Sequence, residues 1–199
     1  MGKRVRKLEF DEIGYWSQVK LDILGEYAKP YNEILHRKKL KTVYVDGFAG
    51  AGHHITKNAG ELVQGSPVRA MAVKPPFHFF HFVDMDDLRT EELKKVSADH
   101  PNVNIHHGDA NRILLADVFP HIRYEQFRRG LCILDPYGLD LDWSVIEAAG
   151  KSRTIEIFLN FPVMDMNRNV LWHEHERVDA TQRDRMTRFW GDSSWSEAA

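Results

Sequence analysis

The stretch "YVDGFAGAGHH" (Tyr44–His54) sets three glycines, Gly47, Gly50 and Gly52, within six positions directly behind an apolar run that closes on Asp46. Glycine weakens strands and helices, so such a cluster marks backbone that bends sharply or lies against a ligand. The run before it is rich in β-branched and aromatic residues and short enough to be a strand. The same arrangement recurs along the chain. "FHFFHFVD" closes on Asp84, "VNIHHGD" on Asp109, "LCILD" on Asp135 and "IEIFLN" on Asn160.

Helical signals separate most of these runs. Ser66-Pro67 reads as an N-cap followed by proline at the first helical position. "DDLRTEELKKV" places acids early and lysines late, which suits the helix dipole. Asp142 reads as the cap of "WSVIEAAGK", with Gly150 as its stop. Ahead of the first strand, "YWSQVKLDILGEYAKPYNEIL" predicts an amphipathic helix interrupted near Pro30.

Strand and helix in alternation predict an α/β fold with a doubly wound, mainly parallel sheet. One domain is expected: a leading helical segment over 1–40, a Rossmann-like cofactor-binding core over 41–165 and a C-terminal helical extension over 166–199. No sixth or seventh strand is evident after Asn160, so the expectation is either that the C-terminal strands are missing or abbreviated or that the chain is a fragment of a longer protein. Parallel strands place all their C-terminal ends on one edge, where ligands bind. Asp46, Asp84, Asp109, Asp135 and Asn160 are therefore expected to converge. Any one of them could be a helix cap or turn residue; five of five is a pattern.

Composition narrows the classes. The 199 residues carry 27 Lys and Arg against 29 Asp and Glu, a formal net charge of −2 that gives no global basic field. A single cysteine, Cys132, excludes an internal disulfide and a Cys-based zinc cluster within the chain. "MGKRVRKLEF" lacks the apolar stretch of a signal peptide, and no run of about 18 apolar residues could span a membrane, so a cytoplasmic location is expected.

Two phosphate motifs fail on the glycine segment. Gly47 and Gly52 have P-loop spacing, but His53-His54 follow where Lys-Ser/Thr is needed. The dinucleotide fingerprint needs a third glycine at Ile55, and the following helix starts too late to aim at a pyrophosphate. S-adenosylmethionine, whose charge is not phosphate, survives. Asp46 suits its ammonium, and Gly50 and Gly52 let the backbone pass close to the methionine moiety. Asp84 can accept from both ribose hydroxyls. Met85 is placed for the adenine face and Asp109 for its amino group, with Phe48 and Ala110 completing the cofactor-binding set.

The chemistry is expected after the fourth strand, in "LDPYG". Asp135 and the Pro136 carbonyl could accept the two protons of an exocyclic amine held in line with a sulfonium. Tyr137 could stack on a base, a contact worth about 1–3 kcal/mol. The catalytic set is thus Asp135, Pro136 and Tyr137, acting by positioning.

In this order, "YVDGFAGAG", "GSPVRA", "FHFVDMD", "GDAN", "LDPYGLDLDW" and "IFLNFPVMDMNRN" resemble the three-Cys-motif partner protein family, from about Trp16 to Trp190. The resemblance implies a methyltransferase-like Rossmann fold, with its sheet in the order 3-2-1-4-5, and partnership with a radical-SAM-like three-cysteine protein; it implies no substrate. "DPYG" is also similar to the "DPFG" of tRNA guanine-N2 methyltransferases and, more loosely, to the "DPPY" of adenine-N6 enzymes. The glycine segment resembles that of DNA cytosine methyltransferases.

The expectation is a methyltransferase acting on a nucleobase amino group of RNA or DNA; the alternative is a non-catalytic partner of the three-cysteine protein. No metal is expected. In "HEHE", His173 and His175 lie two apart, which points them in different directions on a helix. His53-His54 and His106-His107 read as surface or core histidines. Arg168, Arg177, Arg183, Arg185 and Arg188 read as a solvated mixed-charge helix rather than a phosphate-binding face.

Overall fold

The computed structural model describes residues 8–171 and 178–197. Five strands, β2 (Lys41–Asp46), β5 (Phe79–Asp84), β6 (Val103–His107), β7 (Arg128–Leu134) and β8 (Ile155–Leu159), form one parallel sheet in the order β6-β5-β2-β7-β8. A smaller sheet joins β1 (Glu12–Ile13), β3 (His53–Thr56) and β4 (Leu62–Gln64). Among the described residues no strand follows Leu159, and the outer edge of β8 has no strand partner.

Strand parity explains the layering. Alternate side chains point to opposite faces, so Val43, Val45, Val83, Cys132 and Leu134 share one face while Tyr44, Phe80, Phe82, Leu131 and Ile133 share the other. Both sets are buried, which is why these strands read as continuous apolar runs. Helix α1 (Tyr15–Arg37) covers the second face through Leu24 and Ala28, α2 (Ser66–Ala72) through Ala70 and Met71, and α3 (Asp87–Val96) through Leu93. Across the sheet lie α4 (Ala110–Ile113) with a π turn to Val118, α5 (Trp143–Ser152), α6 (Val163–Asn169) and α7 (Ala180–Trp190). Cys132 is fully buried and unpaired. No helix among the described residues is long and apolar enough to cross a membrane.

Several local expectations need correcting. Helix α1 runs unbroken through Pro30, its residues Leu24, Ala28 and Asn32 buried on either side of the proline. Gly65, not Ser66, occupies the cap position of α2, because the Ser66 hydroxyl is drawn to Asp46. Asp142 stands at the cap of α5 without a side-chain capping bond, and the helix passes Gly150 to end at Ser152, where Arg153 takes a left-handed conformation. Between β2 and α2 the chain forms the hairpin β3–β4, which carries no strand signal in the sequence. The "HEHE" residues lie outside the described residues, as does Arg177.

Candidate functional site

All five strands run the same way, so their C-terminal ends form one edge of the sheet. Two adjoining hollows open there. One, of about 430 Å³, is lined by Gly47, Phe48, Asp84, Met85, Asp109 and Ala110, among others. The second, of about 390 Å³, is lined by residues that include Gly50, His54, Ser66, Asp135, Pro136 and Lys20. Phe48 and Tyr137 line both and so form the wall between them.

Asp84 stands at the floor of the larger hollow, 6% exposed. Its two oxygens accept from Gly50 N (2.9 Å) and Asp86 N (2.9 Å), and Arg89 Nη1 lies 4.0 Å away. Burial pushes its carboxyl above the usual range despite these partners. The bond from Gly50 explains why glycine stands there: at φ +64 the residue turns its N–H back toward β5, in a conformation that L side chains rarely adopt. Met85 is 69% exposed, an apolar side chain on the hollow's rim. Asp109 caps α4 by accepting from Asn111 N at 3.0 Å, which leaves its second oxygen for other donors.

Two expected ligand contacts fall elsewhere. Asp46 is 1% exposed and lines neither hollow. Its carboxyl accepts from Ser66 Oγ (2.5 Å) and Phe48 N (3.2 Å), so the residue braces the glycine loop, and the Ser66 it holds lines the smaller hollow. Burial, the largest cause, raises its pKa from 3.8 to about 7. Gly52 also lines neither hollow. Its carbonyl accepts from Gly65 N at 2.8 Å, and at φ +81 it tightens the turn against Leu93 and Val68.

Asp135 and Tyr137 carry partners that motif reading missed. Lys20, from α1, bridges both Asp135 oxygens at 2.8 and 3.1 Å, and Asn160 Nδ2 donates to Oδ1 at 2.6 Å. The Tyr137 hydroxyl donates to Asp11 Oδ2 at 3.0 Å and accepts from Arg89, whose Nη2 bonds Asp11 Oδ1 at 2.7 Å. Burial and the Asp11 charge push the Tyr137 hydroxyl up to about 12. The ring, expected to be free for stacking, is therefore tied at its tip to the segment before α1. Lys20 and Asp11 lie 115 and 126 positions from their partners; only the folded chain brings them together.

The arginines of the C-terminal helix face acids. Arg185 meets Asp140 at 3.0 Å and Asp165 at 3.7 Å, and Arg188 meets Asp142 at 4.0 Å. Among the described residues there is no group of three or more His, Cys, Asp or Glu that could hold a metal ion.

The arrangement is that of an α/β protein with a ligand-sized cleft at the carboxyl edge of a parallel sheet. No family model and no curated protein sequence matches the chain. Among solved structures it is similar to protein LPL1258 of Legionella pneumophila, which bears the family designation DUF519. The TM-score is 0.51 at 14% identity, over 69% of this chain and 66% of that one, just under two thirds of its length. A likeness at that identity speaks to the fold alone.

Proposed function

We propose that the protein is an S-adenosylmethionine-dependent methyltransferase acting on an exocyclic amino group of a nucleobase in RNA or DNA. The supporting observation is the cleft itself: Asp84, Phe48, Met85, Asp109 and Ala110 gather around one hollow, with Gly50, Asp135, Pro136 and Tyr137 around the adjoining one. The strand order, third-second-first-fourth-fifth, is that of a methyltransferase-like Rossmann core. The donor and acceptor set fits an adenosyl group. Asp84 is an acceptor-only carboxylate for ribose hydroxyls, Phe48 and Met85 are apolar flanks for a base, and Asp109 has an oxygen left to accept from an amine.

When bound, the cofactor supplies an electrophilic methyl group. The chain's own residues do the positioning. Asp135 and the Pro136 carbonyl would accept hydrogen bonds from the two amine N–H groups, which orients the nitrogen lone pair toward the adjoining hollow; the proton released after transfer would pass to the Asp135 carboxylate. Asp135 is held by Lys20 and Asn160, so an incoming amine would compete with Lys20 for its oxygens. That makes Lys20 the group through which substrate entry and α1 are coupled.

Isothermal titration with S-adenosylhomocysteine tests the reading. Binding is expected, together with a loss of at least about tenfold in Asp84→Ala, the order of one lost charged hydrogen bond. No binding at roughly millimolar ligand retires the reading. Full affinity in Asp84→Ala removes the ribose assignment.

A second reading is favoured by one specific observation. The unpaired edge of β8 is followed by exposed Phe161, Val163 and Met164, an apolar surface suited to a protein partner. On that reading the chain is a non-catalytic, methyltransferase-like partner of a radical-SAM-like three-cysteine protein. A stable complex with that protein, and no methyl transfer to any nucleic acid, would favour it.

A further inference from the structure

A net charge of −2 conceals a divided surface. The acids described above crowd the carboxyl edge. The amino edge, where the strands begin, is basic. Two runs meet there: "HRKKLK" (His36–Lys41) leads into β2 and "RYEQFRR" (Arg123–Arg129) leads into β7. Lys41 and Arg128 are in register across the sheet, and Lys41 N donates to Phe127 O at 2.8 Å, so the runs form one surface.

Arg37 pairs with Glu33 at 3.8 Å, and Glu125 lies within the second run, yet most of the cations described on this surface have no acidic partner among the described residues. Among the described residues, Lys38, Lys39, Lys41, Arg123, Arg128 and Arg129 have no carboxylate within ion-pair distance. The neighbouring histidines respond to the same field. Burial first, and then His36 and Lys41, lower the pKa of His78; burial, His106, His121 and Arg128 hold His81 down at about 4.

Aromatic rings are interleaved with these cations. Tyr124 and Phe127 are exposed, with the Arg129 guanidinium 4.6 Å from the centre of the Tyr124 ring. Flat rings among cations suit unpaired bases and the phosphates beside them. A lipid surface calls instead for an amphipathic helix with an aliphatic face to insert, and these residues occupy a short turn and strand starts. The acidic rim of the cleft would repel a phosphate backbone, so a polymer whose base enters there needs its grip elsewhere.

We propose that the amino edge binds single-stranded nucleic acid, with Lys38, Lys39, Lys41 and Arg123 on phosphates and Tyr124 and Phe127 against bases. The six residues of β2 span about 20 Å at ~3.3 Å each, so about six stacked nucleotides bridge this surface and the cleft. That this polymer is also the methyl acceptor rests on the proposed function; the surface does not.

Fluorescence anisotropy with a labelled RNA of roughly 20 nucleotides, and DNA of the same sequence, tests the proposal across roughly 50–200 mM salt. Four phosphate contacts predict a log–log salt slope near about −3. Lys38→Gln/Lys39→Asn/Lys41→Gln should bring the slope to about −1 and weaken binding at least about tenfold. Phe127→Asn, which suits the left-handed backbone there, should weaken binding with the slope unchanged. The RNA and DNA arms decide which polymer is preferred.

The proposal is overturned if the wild-type protein binds neither polymer, if the triple variant binds as well as the wild type, or if only vesicles of anionic phospholipid are bound. Titration of the same proteins with S-adenosylhomocysteine separates the two ideas. Nucleic-acid binding without cofactor binding sinks the methyltransferase reading and keeps this surface; cofactor binding without nucleic-acid binding does the reverse.

Discussion

Replacing Asp46 with asparagine should make the protein more stable at alkaline pH and leave it nearly unchanged at acid pH. Asp46 is 1% exposed at the end of β2, and its carboxyl has only the Ser66 hydroxyl and the Phe48 N–H as partners. Burial outweighs those two bonds, and the charges of Asp135 and Asp84 add to it, so the pKa rises from 3.8 to about 7. A carboxyl whose folded-state pKa is raised favours the fold while protonated. Its contribution is complete below about pH 3.8 and is lost as pH rises through about 7. The gap between those values is worth about 4 kcal/mol at ~1.36 kcal/mol per pH decade. Asparagine is neutral throughout. It keeps an oxygen for Phe48 N–H and can donate to the Ser66 oxygen, so it avoids this loss. Urea denaturation of both proteins from about pH 4.5 to 8.5 measures the difference directly, since every other titrating group is common to the pair. The variant's advantage should already be about 1 kcal/mol at about pH 4.5 and grow by about 3 kcal/mol more over this range, most of it gained by about pH 7. A difference that stays constant across the range would refute the assignment of a buried, reluctantly ionised Asp46.

Gly65→Ala should destabilise by about 1–3 kcal/mol, because the new methyl would lie 2.9 Å from the Gly52 carbonyl oxygen and 3.1 Å from its carbon, backbone that cannot step aside; urea unfolding checks this, and a neutral result would show that the glycine loop yields. Lys20→Met should change stability by less than about 1 kcal/mol, since side chains 35% and 46% exposed screen the ion pair with Asp135; a thermal midpoint lowered by more than about 4 °C would show that the pair holds α1 to the sheet. Tyr137→Phe removes the hydroxyl from Asp11 and Arg89 but leaves their own ion pair. About 1 kcal/mol should be lost and amide exchange at Phe10–Ile13 should quicken while the central strands stay protected, whereas unchanged exchange would mean that the hydroxyl does not hold this segment. Because the Tyr137 hydroxyl is pushed up to about 12, that effect should not vary between pH 6 and 9.

The sheet was legible because burial on both faces leaves an unbroken apolar run that can be read without knowing any neighbour. The hairpin β3–β4 was not. "HHIT" and "LVQ" are short and half polar, and only their pairing with each other and with β1 makes them strands. Pro30 was read as a break because proline removes a helix bond; burial on both sides of it holds α1 continuous. Site partners were the least legible. Nothing local to "LDPYG" names Lys20, Asn160 or Asp11.

Strand parity fixes which way each strand-end acid points. Side chains two apart on a strand share a face, so Asp46 must follow Tyr44, Asp84 must follow Phe82, and Asp135, one step past β7, continues from Leu131 and Ile133. Those four anchors all belong to the face covered by α1, α2 and α3. Parity alone therefore directs all three acids toward the same helices, and each finds its partner there: Ser66 at the start of α2, Arg89 on α3, Lys20 on α1. Sorting them by depth takes one more fact. Asp46 ends the middle strand, flanked by β5 and β7, so its carboxyl is enclosed and braces the loop, while Asp84 borders the larger hollow and Asp135, beyond its strand, reaches solvent. Position in the sheet order, more than residue type, separates the acid that builds the cleft from those that line it.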